Sequence, residues 1–238
     1  MKTVLAFDVY GTLIDTAGVV TKLQDFVGAK APDLSRTWRE KQLEYSFRRG
    51  LMRRYENFAI CTRDALEYTC AYFDAELSRE SKEALLGAYR VLPPFDDVTE
   101  CLTGLRDDKF SLYAFSNGTA DAVETLLMKA GIRDYFLDVV SVDDLETFKP
   151  NPDVYRHFLR RSGAAGGRAW LISSNPFDVI GAVSAGMQGA WVKRSAEAIF
   201  DPWGIEPTIE VSSLLEIAPR IAQHQAKGRP SGAGKVSG

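Results

Sequence analysis

The chain has 238 residues, 45% hydrophobic and 26% charged, a balance suited to one sizeable globular domain or a core with a smaller inserted module. Its formal net charge of −3 leaves no basic footprint for nucleic acid, and no apolar run is long enough to span a membrane. Cys61, Cys70 and Cys101 include no CxxC pair, so free buried thiols are expected. With His157 and His224 the only histidines, a histidine-rich metal centre or a His-dependent triad has little material. The opening Met1 to Phe7 is too short for a signal peptide, which predicts a cytoplasmic protein.

In chain order, Val4 to Phe7 is an apolar run ending at Asp8 and followed by Gly11-Thr12, the pattern of a parallel strand buried on both faces. From about Asp15 to Pro94 only helical periodicity appears. Ser35 to Phe58 reads as a long amphipathic helix or a bent pair, with Arg39, Leu43, Phe47, Leu51 and Tyr55 on one face. A guanidinium on such a face either snorkels outward or points into a pocket. Arg48-Arg49 with Arg53-Arg54 read as a solvated face or as salt-bridge partners. Asp64 to Phe73 and Arg79 to Val91 are further helices, and Pro93-Pro94 stops the last one. Strand runs at Leu112 to Phe115, Leu137 to Val142, Trp170 to Ile172 and Ala190 to Val192 then alternate with helices such as Asp121 to Ala130 and Pro152 to Arg161. This predicts an α/β fold, a doubly wound parallel Rossmann-like sheet with a helical cap inserted after the first strand. The expected division is a core of 1–14 and 95–225, a cap of 15–94 and a disordered tail of 226–238.

Three strand ends are followed by small or polar residues: Asp8-Val9-Tyr10-Gly11-Thr12, Ser116-Asn117-Gly118 and Ser173-Ser174-Asn175-Pro176-Phe177-Asp178. Lys149-Pro150 lies between the second and third. A strand-end Ser or Asp alone is often just a helix cap. In this order, however, the segments resemble the four motifs of the haloacid dehalogenase superfamily, over nearly the whole chain up to about residue 220. Most members of that superfamily are phosphatases, so membership does not choose the reaction.

Position 10 discriminates. Phosphatases of the superfamily usually carry a second Asp two residues after the nucleophile, to protonate a leaving alkoxide; here Tyr10 stands there. Halide needs no such acid, although fluoride leaves poorly without strong hydrogen-bond donors. Magnesium-dependent members also place an acidic residue early in the fourth motif, where this chain has Ser173 and Ser174. No required cofactor or metal is therefore expected, with weak magnesium binding by Asp8, the Tyr10 carbonyl and Asp178 left open. The run Trp38 to Tyr45, followed by Leu51-Met52 and Tyr55, closely resembles the cap helix of L-2-haloacid dehalogenases, whose matching Arg receives the departing halide.

The resemblance implies hydrolysis of small L-2-haloalkanoic acids to D-2-hydroxy acids through a covalent ester on Asp8, with inversion at C2. It gives Arg39, Asn117 and Phe177 to the halide, and Ser116 with strand-end N–H groups, including that of Val9, to the substrate carboxylate. Asp178, oriented by Asn175 and Lys149, activates water. Lys149 also offsets the negative charge of Asp8 as an anionic substrate arrives. Thr12 positions Asp8, and Ser173 does the same for Lys149 or Asp178. Tyr155 is either a site residue or a packing aromatic. Tyr10, Leu43 and Phe58 form an apolar wall, with Phe58 equally suited to a core position. The competing readings are a magnesium-dependent phosphatase, a non-catalytic binding module on this fold, and defluorination of fluoroacetate by the same mechanism. The expected partners are the halogenated acid, halide and water, with no nucleic acid and no membrane; an apolar cap face at Leu51, Met52 and Tyr55 suits a homodimer or internal packing.

Overall fold

A computed structural model describes residues 2–106 and 109–227. Strands β1 (Thr3–Asp8), β2 (Phe110–Ser116), β3 (Asp138–Ser141), β4 (Ala169–Ser173), β5 (Gln188–Val192) and β6 (Ile209–Val211) form one six-stranded sheet in the order β3-β2-β1-β4-β5-β6. Every pairing is parallel. Leu5 and Phe7 of β1 pack into one apolar cluster while Val4 and Ala6 pack into another. Burial on both faces is why this strand reads as an unbroken apolar run.

From β1 the chain steps outward to β2 and β3, then crosses to β4 on the other side of β1. At such a switch point the connections diverge and leave a crevice at the carboxyl ends. The register puts Asp8 opposite Phe115 and Phe7 opposite Ile172, so Asp8, Ser116 and Ser173 end their strands at neighbouring levels.

Between β1 and β2 lie α1 (Gly18–Val27), α2 (Ala31–Met52), α3 (Phe58–Tyr72), α4 (Arg79–Ala88) and α5 (Val98–Leu105). After β2 come α6 (Ala120–Lys129), α7 (Pro152–Ser162), α8 (Pro176–Ser184) and α9 (Ile217–Lys227). The predicted helix from Ser35 to Phe58 is revised by the structure. Arg53 takes a left-handed conformation (φ 53°) and closes α2, and Asn57 caps α3 by accepting the Ile60 N–H at 3.2 Å. Phe58 therefore opens α3, and Tyr55 lies outside the predicted stripe.

The buried face of α2 is also one residue away from that stripe. It consists of Leu34, Trp38, Gln42 and Ser46, with Ala31 at the helix start. Trp38 Nε1 donates to the Thr62 carbonyl at 2.8 Å and the Gln42 amide donates to the Thr62 hydroxyl, fixing α2 against α3. Arg39, Leu43 and Phe47 flank this face and are half-buried, whereas Leu51 is 85% and Met52 67% exposed. Internal packing of that apolar pair is thereby ruled out, while Tyr55 turns inward to meet Phe148, the ring centres 5.1 Å apart and the planes tilted by 34°. Arg48 and Arg49 pair with Glu44 and Asp64.

Strand β6 and helices α1, α5 and α9 add to the predicted elements. Helix α9 runs to Lys227, past the predicted start of the tail at 226, and 228–238 lie outside the described residues. The three cysteines are free and buried, and burial pushes the Cys61 thiol up to about 11. No helix among the described residues is long and apolar enough to cross a membrane.

The helical segment leaves and rejoins the sheet layer at one place. Asp15 N donates to the Pro93 carbonyl (2.9 Å) and Phe95 N to the Leu13 carbonyl (3.0 Å), flanking an Ile14–Pro94 bridge. Arg194, just past β5, locks this crossing. It donates to both Asp97 carboxylate oxygens at 2.8 Å and to the Thr12 carbonyl at 2.6 Å, with its guanidinium 4.1 Å from the Phe95 ring centre. Burial raises the Asp97 carboxyl, but the Leu214 N–H, Arg194 and the Ser213 hydroxyl outweigh it and hold Asp97 below its ordinary value.

A carboxylate depressed by folding adds stability above its unfolded pKa and loses it as the pH falls through the folded one. Arg194→Met is accordingly expected to cost about 3 kcal/mol in urea denaturation at pH 7. The deficit should shrink once the pH drops below about 4. A deficit independent of pH would show that the charge pair contributes nothing beyond packing.

Candidate active site

Asp8 closes β1, and its two carboxylate oxygens are treated differently. Oδ2 accepts from Thr12 Oγ1 at 2.9 Å, Ser173 Oγ at 3.2 Å and Asn175 Nδ2 at 2.7 Å. Oδ1 meets Lys149 Nζ alone, at 3.2 Å. Local structure produces this asymmetry. Gly11 takes φ +85°, which turns the chain back so that Thr12 returns to Asp8, a conformation that favours glycine. The Ser174 N–H donates to Thr12 Oγ1 at 2.9 Å, leaving the hydroxyl proton for Asp8. Asn175 occupies the cap position of α8, with Pro176 following, but its side chain makes no cap bond and turns to Asp8 instead.

Lys149 is buried, and its ammonium has three partners: Asp8 Oδ1, Asp178 Oδ2 at 2.8 Å and the Phe115 carbonyl at 2.9 Å. It also lies 4.2 Å from the centre of the Phe115 ring. Tyr155, fully buried, donates to Asp178 Oδ1 at 2.8 Å, which assigns it to this network as well as to the core. Burial pushes the Asp178 carboxyl up to about 6, with Asp8 adding to the rise while Lys149 and Tyr155 oppose it. For Lys149, burial favours the neutral amine, but Asp178 and Asp8 outweigh it and hold the group above its ordinary value. Burial and the Asp178 charge lift the Tyr155 phenol well above its usual range, so it remains a donor.

Arg39 reaches the site from α2. It donates to Gln42 Oε1 at 2.6 Å and to the Tyr10 carbonyl at 3.4 Å, and among the described residues it has no carboxylate partner. Asn117 accepts the Lys149 N–H on Oδ1 at 2.9 Å, which leaves its amide hydrogens for a ligand. Ser116 Oγ accepts the Gly118 N–H at 3.1 Å and keeps its own proton to donate. The Phe177 ring meets Phe47 of α2 edge-on, centroids 5.0 Å apart. Tyr10 lies 6.0 Å from Phe58, which is itself 6.2 Å from Phe148, so Phe58 is both buried core and neighbour to the site. Burial pushes the Tyr10 phenol up to about 12. Leu43 is half-buried beside Gln42.

Two expected roles shift. Asn175 and Ser173 hold Asp8 rather than Asp178 or Lys149. Val9 is fully buried in the core, so only its backbone is left to meet a ligand. Gln42 and Phe115 were not singled out in the sequence. A glutamine one helical turn after Arg39 was the available signal for the first; the second acts through its carbonyl and ring, which no motif encodes.

A magnesium cage from Asp8, the Tyr10 carbonyl and Asp178 does not fit this donor set. Asp8 is ringed by N–H and O–H donors, Asp178 is taken by Lys149 and Tyr155, and the Tyr10 carbonyl faces Arg39 and Asn175. Hard cations need oxygen acceptors instead. Among the described residues no group of three or more His, Cys, Asp or Glu side chains is arranged to hold a metal.

The model of haloacid dehalogenase-like hydrolases matches residues 2–186. An (S)-2-haloacid dehalogenase of Pseudomonas sp. (strain YL) is 35% identical over 90% of this chain and 91% of its own length. Haloacetate dehalogenase H-2 of Moraxella sp. (strain B) is 35% identical over 92% and 97%. The L-2-haloacid dehalogenase of Xanthobacter autotrophicus, solved with chloropropionic acid covalently bound, superimposes with a TM-score of 0.84 at 31% identity, covering 94% of this chain and 99% of that one. The extent of these matches places the chain in one family: it belongs to the haloacid dehalogenase-like hydrolases.

Proposed function

We propose that this chain is an (S)-2-haloacid dehalogenase that converts L-2-haloalkanoic acids to D-2-hydroxy acids through an ester on Asp8. The observation that carries the reading is the Arg39 guanidinium, held against the Tyr10 carbonyl by a neutral glutamine and free of any carboxylate among the described residues. It is a ready receptor for a departing anion, bound to the carbonyl of the residue two positions after the carboxylate nucleophile.

Asp8 Oδ1 is the attacking atom, because Oδ2 is held by three donors. It bonds to C2 from the side opposite the halogen as the carbon–halogen bond breaks and the electron pair leaves with the halide. Arg39, the Asn117 amide and the Phe177 edge collect the halide. The Ser116 hydroxyl and backbone N–H groups near Val9 and Gly118 hold the substrate carboxylate, while Tyr10, Leu43 and Phe58 enclose the alkyl group. Water then attacks the Asp8 Cγ and gives its proton to Asp178. The Cγ–O bond to the substrate breaks, the product alkoxide takes up a proton, and Asp8 is restored. Thr12, Ser173 and Asn175, the donors on Oδ2, stabilise the oxyanion that forms there, and Lys149 faces Oδ1, which departs with the product. No cofactor or metal enters any step. The proposal includes the division into a core of 1–14 and 95–225 and a cap of 15–94. It also includes a second copy of the chain covering the exposed Leu51 and Met52.

Purified protein should release chloride from L-2-chloropropionate with chelator present. Asp8→Asn should lower turnover about 10⁴-fold or more. In a single turnover in heavy-oxygen water, mass spectrometry should find the label in Asp8. Label appearing directly in the hydroxy acid would contradict the ester.

Arg39→Ala should cut kcat/KM on the order of 10³-fold, with an unchanged circular dichroism spectrum. A rate within a few-fold of the parent would remove Arg39 from the site.

Asp178 accepts a proton only when ionised, so kcat should rise with pH through about 6. Tyr155→Phe removes a hydrogen bond that favours the carboxylate, so the acid limb should move to higher pH. A limb that stays put would separate Tyr155 from Asp178 in function.

A further inference from the structure

An arginine side chain is long and has many rotamers, so the value of Arg39 as an anion receptor depends on what holds it. Two acceptors do. Gln42 Oε1 takes one guanidinium hydrogen at 2.6 Å, and the Tyr10 carbonyl takes another at 3.4 Å. The first is the shorter bond and the stronger restraint.

An amide can hold a guanidinium in only one of its two orientations. With Oε1 toward Arg39 it accepts; turned over, it would set an NH2 group against a guanidinium that can only donate. What selects the orientation lies on α3. Thr62 is buried, and its hydroxyl proton goes to the Phe58 carbonyl one turn back, at 2.8 Å. With its one proton committed there, the Thr62 oxygen can only accept, and it accepts from Gln42 Nε2. That bond leaves Oε1 as the end of the amide that faces Arg39. Thr62 is itself fixed through its carbonyl, which accepts from Trp38 Nε1 at 2.8 Å, one turn before Gln42 on α2.

We propose that Thr62 is a positioning residue for the departure of halide: its hydroxyl sets the polarity of the Gln42 amide and so keeps Arg39 aimed at the leaving group. The proposal rests on the dehalogenase reading above and extends the machinery to a residue that touches no substrate. The hydrogen bonds run in one direction, from Arg39 to Gln42 to Thr62 to the Phe58 carbonyl, each group donating to the next. Bonds in such a row polarise one another in the same sense, and this row begins at its only charged member. Without the hydroxyl, nothing holds the amide in its accepting orientation, and Arg39 keeps the Tyr10 carbonyl alone. The guanidinium must then be ordered during the reaction instead of before it, which raises the barrier to carbon–halogen cleavage. Chloride, the poorer leaving group, depends on the receptor more than bromide does.

Thr62→Val keeps the shape of the side chain and removes the hydroxyl. It should lower kcat/KM about tenfold for L-2-chloropropionate but only about threefold for L-2-bromopropionate. Added bromide should inhibit about tenfold more weakly. Thr62→Ser should bring all three values back toward the parent. Gln42→Leu should reproduce the defect, and adding Thr62→Val to it should change the chloride-to-bromide ratio no further, because the hydroxyl acts through the amide. The double variant leaves neither polar group orphaned, so that comparison stands even if Thr62→Val alone folds poorly. An equal loss on both substrates would make Thr62 a packing residue of the α2–α3 contact. That result, or a further change of the ratio in the double variant, would overturn the proposal and leave the dehalogenase reading intact. A parent protein that releases halide from neither substrate would overturn both.

Discussion

Everything at this site depends on one ammonium group placed out of water between two carboxylates. Lys149 is 1% exposed and Asp178 fully buried, and Asp8 is only slightly more open. Removing three charges from solvent costs several kcal/mol for each, so such a cluster survives only if almost every lone pair and proton is satisfied. Here the ammonium's three hydrogens go to Asp8, Asp178 and the Phe115 carbonyl. Asp178's second oxygen goes to Tyr155, and Asp8's second oxygen to three donors. The groups come from β1, β2, the segment before α7, α7 itself, the end of β4 and α8. Strand order, with β1 central and flanked by β2 and β4, is what makes that convergence possible.

The satisfaction is deliberately uneven in its effect. Saturating Oδ2 of Asp8 fixes the carboxylate plane and leaves Oδ1 as the atom with room to form a bond. Orientation of this kind converts an encounter into a near-attack geometry. The Thr12 hydroxyl that helps is itself positioned twice, by the Ser174 N–H on its oxygen and by Arg194 on its own carbonyl. Arg194 also binds Asp97, where the chain returns from the helical segment. The orientation of the nucleophile and the anchoring of the segment that carries Arg39 therefore share one side chain.

Much of this was legible in the sequence because the constraint is local. An apolar run buried on both faces, ended by Asp8 and a positive-φ glycine, announces a strand and a sharp turn in a handful of letters. The four motif segments likewise mark strand ends, and the structure brings Asp8, Thr12, Lys149, Tyr155, Ser173, Asn175 and Asp178 into one network. What was illegible depends on tertiary choice. The stripe through Arg39 was off by one residue because Gln42 and Ser46, polar letters, are buried against α3 while Leu51, an apolar letter, faces solvent. Binary patterning fails where a buried amide is satisfied by a partner on another helix, here Thr62. The resemblance assigned Asn175 to Asp178; only the geometry reveals that it holds Asp8. Strand β6 is too short, at Ile209–Val211, to register as a run.

The choice of Gln42 over a carboxylate beside Arg39 follows from the charge balance. With Asp8 and Asp178 ionised and Lys149 protonated, the buried cluster carries a net negative charge before any ligand arrives. The substrate of the proposed reaction is an anion, and halide is a second anion released inside the same crevice. An ion pair would neutralise Arg39 and leave two successive anions facing that negative cluster with no cation to receive them. A neutral amide fixes the guanidinium in place through one hydrogen bond and keeps its full charge available. Position 10 completes the same logic: an aspartate there would add a third carboxylate to the loop that Arg39 touches, while Tyr10, with its phenol raised to about 12, adds none. Chemistry at carbon rather than phosphorus is thus favoured twice by one residue, through the acid it omits and through the charge it withholds.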